Sequence, residues 1–256
     1  MNFDPGDLVP IPGGEITLRD ARSGSMQTVN LVPFQLARVP VTTQNPTTHR
    51  GDERQVRVPR APITWFDAVR WCNRESTVAG LQPPYRILGR NVEWDVSADG
   101  YRLPTEAEWE WACRAGTTGP TYGALADIAW TAIDAVTGAQ PVGQKAPNAY
   151  GLFDTIGNVW EWCWNYADTA RYADYRALRG GGWADPAWSS RASVRRGSAP
   201  DAVIDDVGFR VARGAVGSAG DTQAQGWSAN SDIVRSQITG PLPVGWTPLG
   251  RPIPLR

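Results

Sequence analysis

The run Gly157-Asn158-Val159-Trp160-Glu161-Trp162-Cys163 constrains this chain more than any other stretch. Gly157-Asn158 is a turn signal, because both residues tolerate positive φ. Val159, Trp160 and Trp162 favour a strand. In such a strand Trp160 and Trp162 face one side, while Val159 and Glu161 face the other. Two indoles on one face demand burial, each removing about 150–250 Å² from water. Whatever the chain folds into has to lay an apolar surface against this strand. Glu161 points away from the indoles, beside Asn158. A carboxylate and an amide oxygen next to a turn are ligand types for a hard cation such as calcium, with backbone carbonyls completing the shell. The alternative is that Glu161 caps backbone N–H groups or pairs with an arginine, since two oxygens fall short of the roughly six to eight that calcium takes.

The composition extends the same argument. Among 256 residues there are 27 glycines, 21 prolines and 13 tryptophans. That mixture suits a loop-rich fold pinned by buried indoles rather than by long helices. The length allows one large domain or two small ones, and one compact domain is enough to bury a sizeable core. A net charge of −1 leaves no global field to attract nucleic acid or a membrane surface. Lys145 is the single lysine, and the other basic residues are arginines suited to planar ion pairs. Cys72, Cys113 and Cys163 are odd in number and far apart, which argues against a secreted disulfide framework. The first residues show neither a basic nor an apolar leader region, and no apolar run reaches membrane-spanning length. The expected location is therefore cytoplasmic. The only histidine, His49, rules out any mechanism that needs several imidazoles.

Two helices are predicted. Thr64-Trp65-Phe66-Asp67 is a capping box with Asp in place of Glu, opening a helix over 64–76 with Cys72 on its buried face. Thr105 with Glu108 is a full capping box opening a second helix, with Trp109, Ala112 and Cys113 on its apolar face. Glu106 and Glu108 are explained by the helix dipole and capping, and Glu110 by solvation. Strands are predicted within 7–19 across the Pro-Gly turn, between Val29 and Val41 around Pro33, and at 85–88 and 92–96. The segment 208–212 reads as a closing core strand, with Phe209 and Val211 inward and Arg210 outward. Residues 214–256 change composition to Gly, Ser, Pro and Gln, and read as an extended arm packed on the domain or on a partner.

Three ordered blocks carry a family resemblance: Tyr101-Arg102-Leu103-Pro104-Thr105-Glu106-Ala107-Glu108-Trp109-Glu110, Gly157-Asn158-Val159-Trp160-Glu161-Trp162, and Leu178-Arg179-Gly180-Gly181-Gly182-Trp183 with Gly208-Phe209-Arg210-Val211-Ala212. Together they resemble the formylglycine-generating enzyme, or sulfatase-modifying factor, family over roughly residues 8–213. The resemblance implies an α+β fold of the C-type-lectin type, two helices with small twisted antiparallel sheets. It divides the chain into a family domain, 1–213, and the arm, 214–256. It also implies calcium at Asn158 and Glu161 with the carbonyls of Ile156, Gly157 and Val159. A further calcium position falls near Asp127-Ile128, where Asp134 is the available acidic residue.

Formylglycine-generating enzymes oxidise a substrate cysteine with oxygen and a copper(I) ion held by two thiolates just after the glycine turn. Here that segment is Trp183-Ala184-Asp185-Pro186-Ala187-Trp188-Ser189-Ser190-Arg191, which contains no cysteine. Ala184 or Asp185 stands near the first position and Ser189 or Ser190 near the second. Copper is not expected, because hydroxyl and carboxylate oxygens do not hold copper(I) as a thiolate pair does. The related sulfoxide synthases use histidines from an additional helical domain, which this chain does not carry. The related variable proteins of diversity-generating retroelements favour Asn, Tyr or Ser at their varied positions, and no Asn or Tyr occurs between Trp183 and Gly208.

What is expected is a lectin-like scaffold with an irregular surface over 183–207. Trp183, Asp185, Trp188, Ser189, Ser190, Arg191, Arg195 and Arg196 are its candidate binding residues, because Trp and Arg concentrate at binding hot spots. Arg195-Arg196 could dock a carboxylate or phosphate. The plainer alternative pairs Arg191, Arg195 and Arg210 with Asp201, Asp205 and Asp206. The first functional expectation is a non-oxidase protein binding a peptide or protein ligand. The second is an enzyme of altered chemistry acting on such a substrate.

Overall fold

The structure, a computed structural model, describes residues 7–19, 24–45, 56–167 and 174–236. His49 and the segment 237–256 lie outside the described residues. The strands are β1 (Leu8–Ile11), β2 (Gly14–Arg19), β3 (Met26–Leu31), β4 (Phe34–Ala37), β5 (Thr42–Asn45), β6 (Val56–Pro59), β7 (Tyr85–Leu88), β8 (Asn91–Trp94), β9 (Tyr101–Arg102), β10 (Trp160–Tyr166), β11 (Arg176–Arg179), β12 (Arg195–Ser198), β13 (Val207–Gly208), β14 (Ala212–Arg213), β15 (Gln223–Ala224) and β16 (Trp227–Ser228). The helices are α1 (Trp65–Val78), α2 (Glu106–Arg114), a short α3 (Leu125–Ile128) and α4 (Ala229–Ser236). No described helix is long and apolar enough to cross a membrane.

Two four-stranded sheets, ordered β1-β4-β14-β9 and β12-β11-β10-β13, are joined by four two-stranded ribbons. Every pairing is antiparallel except β10 with β13, which is parallel and sets Trp160 beside Val207 and Glu161 beside Gly208. The predicted strands within 7–19 form, but not as a hairpin with each other. β1 pairs with β4 and β2 with β3. The closing strand is broken into β13 and β14, so that residues 209–211 bridge the two sheets.

Both predicted helices are present with their caps. Thr105 accepts from the Glu108 N–H while Glu108 accepts from the Thr105 N–H, so two donors at the start of α2 are satisfied. Thr64 caps α1 by accepting from the Asp67 N–H. Instead of reaching back to the backbone, Asp67 accepts from the Thr64 hydroxyl.

The main core is built on the indole face of β10. Trp160, Trp162 and Trp164 lie with Trp65, Trp71, Trp94 and Phe209. Trp164 stacks on Tyr85 at 5.0 Å and 12° and meets Trp94 and Trp227 edge-on. Of the segment 214–256, the described part up to residue 236 forms β15, β16 and α4, and the Trp227 ring is buried in the same core. On the other face of β10, Cys163 joins Trp109 and Cys113 in a second cluster.

Glu106 and Glu108 stand in the first turn of α2 as expected, but they and Glu110 are also buried in ion pairs. Arg102 grips Glu108 with two bonds of 2.7 Å. Arg179 reaches Glu106 and Glu110 at 2.9 Å each. Glu110 is only 4% exposed, so solvation does not explain it.

Candidate functional site

The segment 183–207 begins at a glycine turn whose three residues are glycine for two different reasons. Gly180 and Gly181 have φ of +95° and +84°, in the left-handed region that side chains avoid. At Gly182 a Cβ would lie 2.3 Å from a carboxylate oxygen of Asp206. The turn is locked by Asp185, whose Oδ2 accepts from the Gly182 N–H at 2.8 Å and from the Trp160 indole N–H. Trp160 thus presents its ring to the core and its N–H to the candidate surface.

Asp206 approaches the same turn, and its backbone carbonyl accepts from the Trp160 N–H at 2.7 Å. Burial pushes its carboxyl above the ordinary range. Asp185 adds to the rise and Arg196 opposes it. Two carboxylates and one guanidinium therefore share the ground around Trp160, with Arg196 5.7 Å above that ring. Trp160 and Asp206 were not among the sequence candidates. The alternation along β10 placed Trp160 only toward the core, and Asp206 is delivered by the parallel β13.

The other candidates separate. Ser189 and Ser190 are buried, and the Ser190 hydroxyl has no partner. Trp183 is half-buried with an unpartnered indole N–H. Trp188 is 68% exposed, and Arg191 and Arg196 face solvent. Arg195 does not join them: β12 turns it inward, where it bonds Glu106 at 2.7 Å and the Tyr166 carbonyl. Docking by adjacent Arg195 and Arg196 is thereby corrected, because neighbours on a strand face opposite ways. The plainer pairing is corrected too: Asp201 bonds Arg90, and Arg210 bonds Glu161.

The residues present do not fit calcium at Asn158 and Glu161. Both Glu161 oxygens accept from Arg210, and Oε2 also accepts from the Trp109 indole at 2.7 Å. Arg210 is fully buried rather than outward and also donates to the carbonyls of Ala37 and Phe153. A divalent ion at Glu161 would sit against a guanidinium. The Asn158 side chain is spent elsewhere, closing a two-way clamp with the Gln140 backbone. Near Asp127-Ile128, Asp134 accepts from the Lys145 ammonium at 3.0 Å, and Lys145 also donates to the Ala126 carbonyl at 2.6 Å. That ammonium lies 4.2 Å over the Trp130 ring. The chain supplies its own cation there.

Comparison with known proteins matches residues 2–215 to the sulfatase-modifying factor enzyme 1-like domain. The chain belongs to this family. One relative is the chaperone protein LppX of Paenibacillus barcinonensis, 30% identical over 81% of this chain and 89% of that one. Another is the inactive C-alpha-formylglycine-generating enzyme 2 of Bos taurus, 39% identical over 60% of each chain. Among solved structures, Treponema denticola variable protein 1 superposes with a TM-score of 0.70 at 27% identity, over 80% of this chain and 94% of that one.

Within the sulfatase-modifying factor family the copper(I) pair is expected in 183–191, and the donors present do not fit it. All three cysteines are buried and unpaired, and none lies in that segment. Burial pushes Cys113 up to about 12 and raises Cys72 and Cys163 as well. Copper(I) takes thiolates, and these groups resist becoming thiolates.

Proposed function

We propose that this chain is a non-oxidase member of its family that holds a peptide or protein ligand on the 183–207 surface. The observation that carries this reading is the side-chain set after the glycine turn: Asp185, Ser189 and Ser190, with every thiol buried in the core. A relative named inactive and another named a chaperone support a binding role. So does the exposed set of Trp188, Arg191 and Arg196, the residue types that anchor protein partners. Three unpaired thiols fit a reducing, cytoplasmic setting.

Two experiments test the reading. Incubated with copper(I), oxygen and a cysteine-containing sulfatase peptide, the protein is expected to form no aldehyde; aldehyde over repeated turnovers overturns it. A photo-crosslinking side chain placed at Trp188 is expected to capture a defined protein or peptide in cells. The same probe at Val78, 70% exposed on α1, is expected not to, and Arg196→Glu is expected to abolish capture. Identical patterns at both positions would remove the 183–207 surface from the proposal.

A second reading, an enzyme of altered chemistry, draws on one feature only. Asp206 is a raised carboxyl next to Asp185, and acids with raised pKa are suited to proton transfer.

A further inference from the structure

A cavity of about 550 Å³ opens at the far end of β10 from Trp160, lined by Tyr85, Trp94, Trp164, Tyr166, Arg176 and Trp227 among others. The six residue steps from Trp160 to Tyr166 place it roughly 20 Å from the glycine turn. Its volume falls in the range of small-molecule sites.

Arg176 is the exception among the buried arginines. Arg102, Arg179 and Arg210 each hold a buried carboxylate. Arg176 is 2% exposed, and among the described residues it has no carboxylate partner. Its guanidinium is clamped between the rings of Trp65 at 3.9 Å and Tyr166 at 3.7 Å. Nη1 donates to the Trp164 carbonyl at 2.7 Å, and Nε has no partner. Two further residues lining the cavity, Trp94 and Trp164, carry buried indole N–H groups that are also unpartnered. Every one of these three orphan atoms is a donor. A buried cation and buried donors without acceptors are costly, and the partner such groups call for is an anionic oxygen.

We propose that this cavity binds the carboxylate of a small organic acid, with the guanidinium of Arg176 as its counter-ion. The aromatic walls take an apolar tail. Glu93, Asp95, Asp221 and Asp232 also line the cavity, so a second negative charge on the ligand is disfavoured. The ligand class is a monocarboxylate with an aromatic or aliphatic body. The site is independent of the 183–207 surface and stands or falls without it.

The test titrates the full chain calorimetrically with 3-phenylpropionate, benzoate and acetate, and with 3-phenylpropanamide and phenylsuccinate as controls. At least one monocarboxylate is expected to bind one-to-one. The amide and the dicarboxylate are expected to be weaker by about tenfold or more, the range of one charge-assisted bond. Indole N–H resonances assigned by Trp94→Phe and Trp164→Phe are expected to shift on binding. Arg176→Gln is expected to lose binding. Because Arg176 is also packed, Thr222→Trp at the exposed mouth serves as the second variant, expected to lose binding at unchanged melting temperature. Silence from all three monocarboxylates, equal affinity for the amide, or full binding by Thr222→Trp would overturn the assignment.

Discussion

Glu161 holds two donor residues from different parts of the chain, Arg210 and Trp109, and is fully buried. Removing one member of a buried ion pair leaves the other charge uncompensated, at about 3–5 kcal/mol. Glu161→Gln is expected to lose stability in that range in urea unfolding. Asp206 gives the opposite sign. Its folded-state carboxyl is raised above the ordinary 3.8 by burial and by Asp185. The stability tied to its protonated form is complete below the unfolded-state value and is lost as pH rises through the folded-state value. Asp206→Asn keeps that neutral form throughout. Thermal melts are expected to show the variant gaining on the wild type as pH rises from acid toward neutral, with the two converging below the unfolded-state value.

At the scale of elements, the start of α2 and the turn before β10 carry the architecture. Thr105 caps α2 and also donates to the Gln225 carbonyl at 2.7 Å, joining the helix to the turn between β15 and β16. Thr105→Ala is expected to cost about 1–2 kcal/mol by chemical denaturation. Gly157 has φ +75°, and a Cβ there would lie 2.4 Å from the Trp130 carbonyl oxygen. Gly157→Ala is expected to lower the melting temperature sharply, since both strain and backbone overlap act against it. These features were legible in sequence because they are local: a four-residue capping pattern, a Gly-Asn turn, and a period of two along β10. The partners of the charged residues were not. Arg179 finds Glu106 across 73 positions and Arg210 finds Glu161 across 49, and no local spacing encodes such pairs. The same blindness misread Glu110 as solvated, Arg210 as outward and Arg195 as a docking residue. The two unlike needs at Gly180, Gly181 and Gly182, positive φ at the first two and space beside Asp206 at the third, were likewise visible only as a run of glycines.

Over the whole molecule, buried guanidinium–carboxylate pairs join α2 to β11 and β10 to Arg210 on one side of β10, and packed aromatic rings join β10 to α1 and β7 on the other. This division explains why a chain with little regular secondary structure keeps a dense interior. It also shows where sequence alone succeeded: the fold followed from ordered blocks, whereas the site at 183–207 depended on Trp160 and Asp206, delivered from elsewhere by strand pairing. Because Lys145 and Arg210 occupy the ground where the family resemblance put calcium, chelation is expected to leave the melting temperature unchanged; a clear fall with a chelator, reversed by calcium, would contradict the described pairings.

Lys145 has one more consequence. As the sole lysine of the sequence, with its side chain 15% exposed and its ammonium clamped by Asp134, it gives the protein a single side-chain amine. Acylation at a side chain would therefore report on one loop: slow labelling of Lys145 while 126–145 stays closed, and fast labelling when it opens.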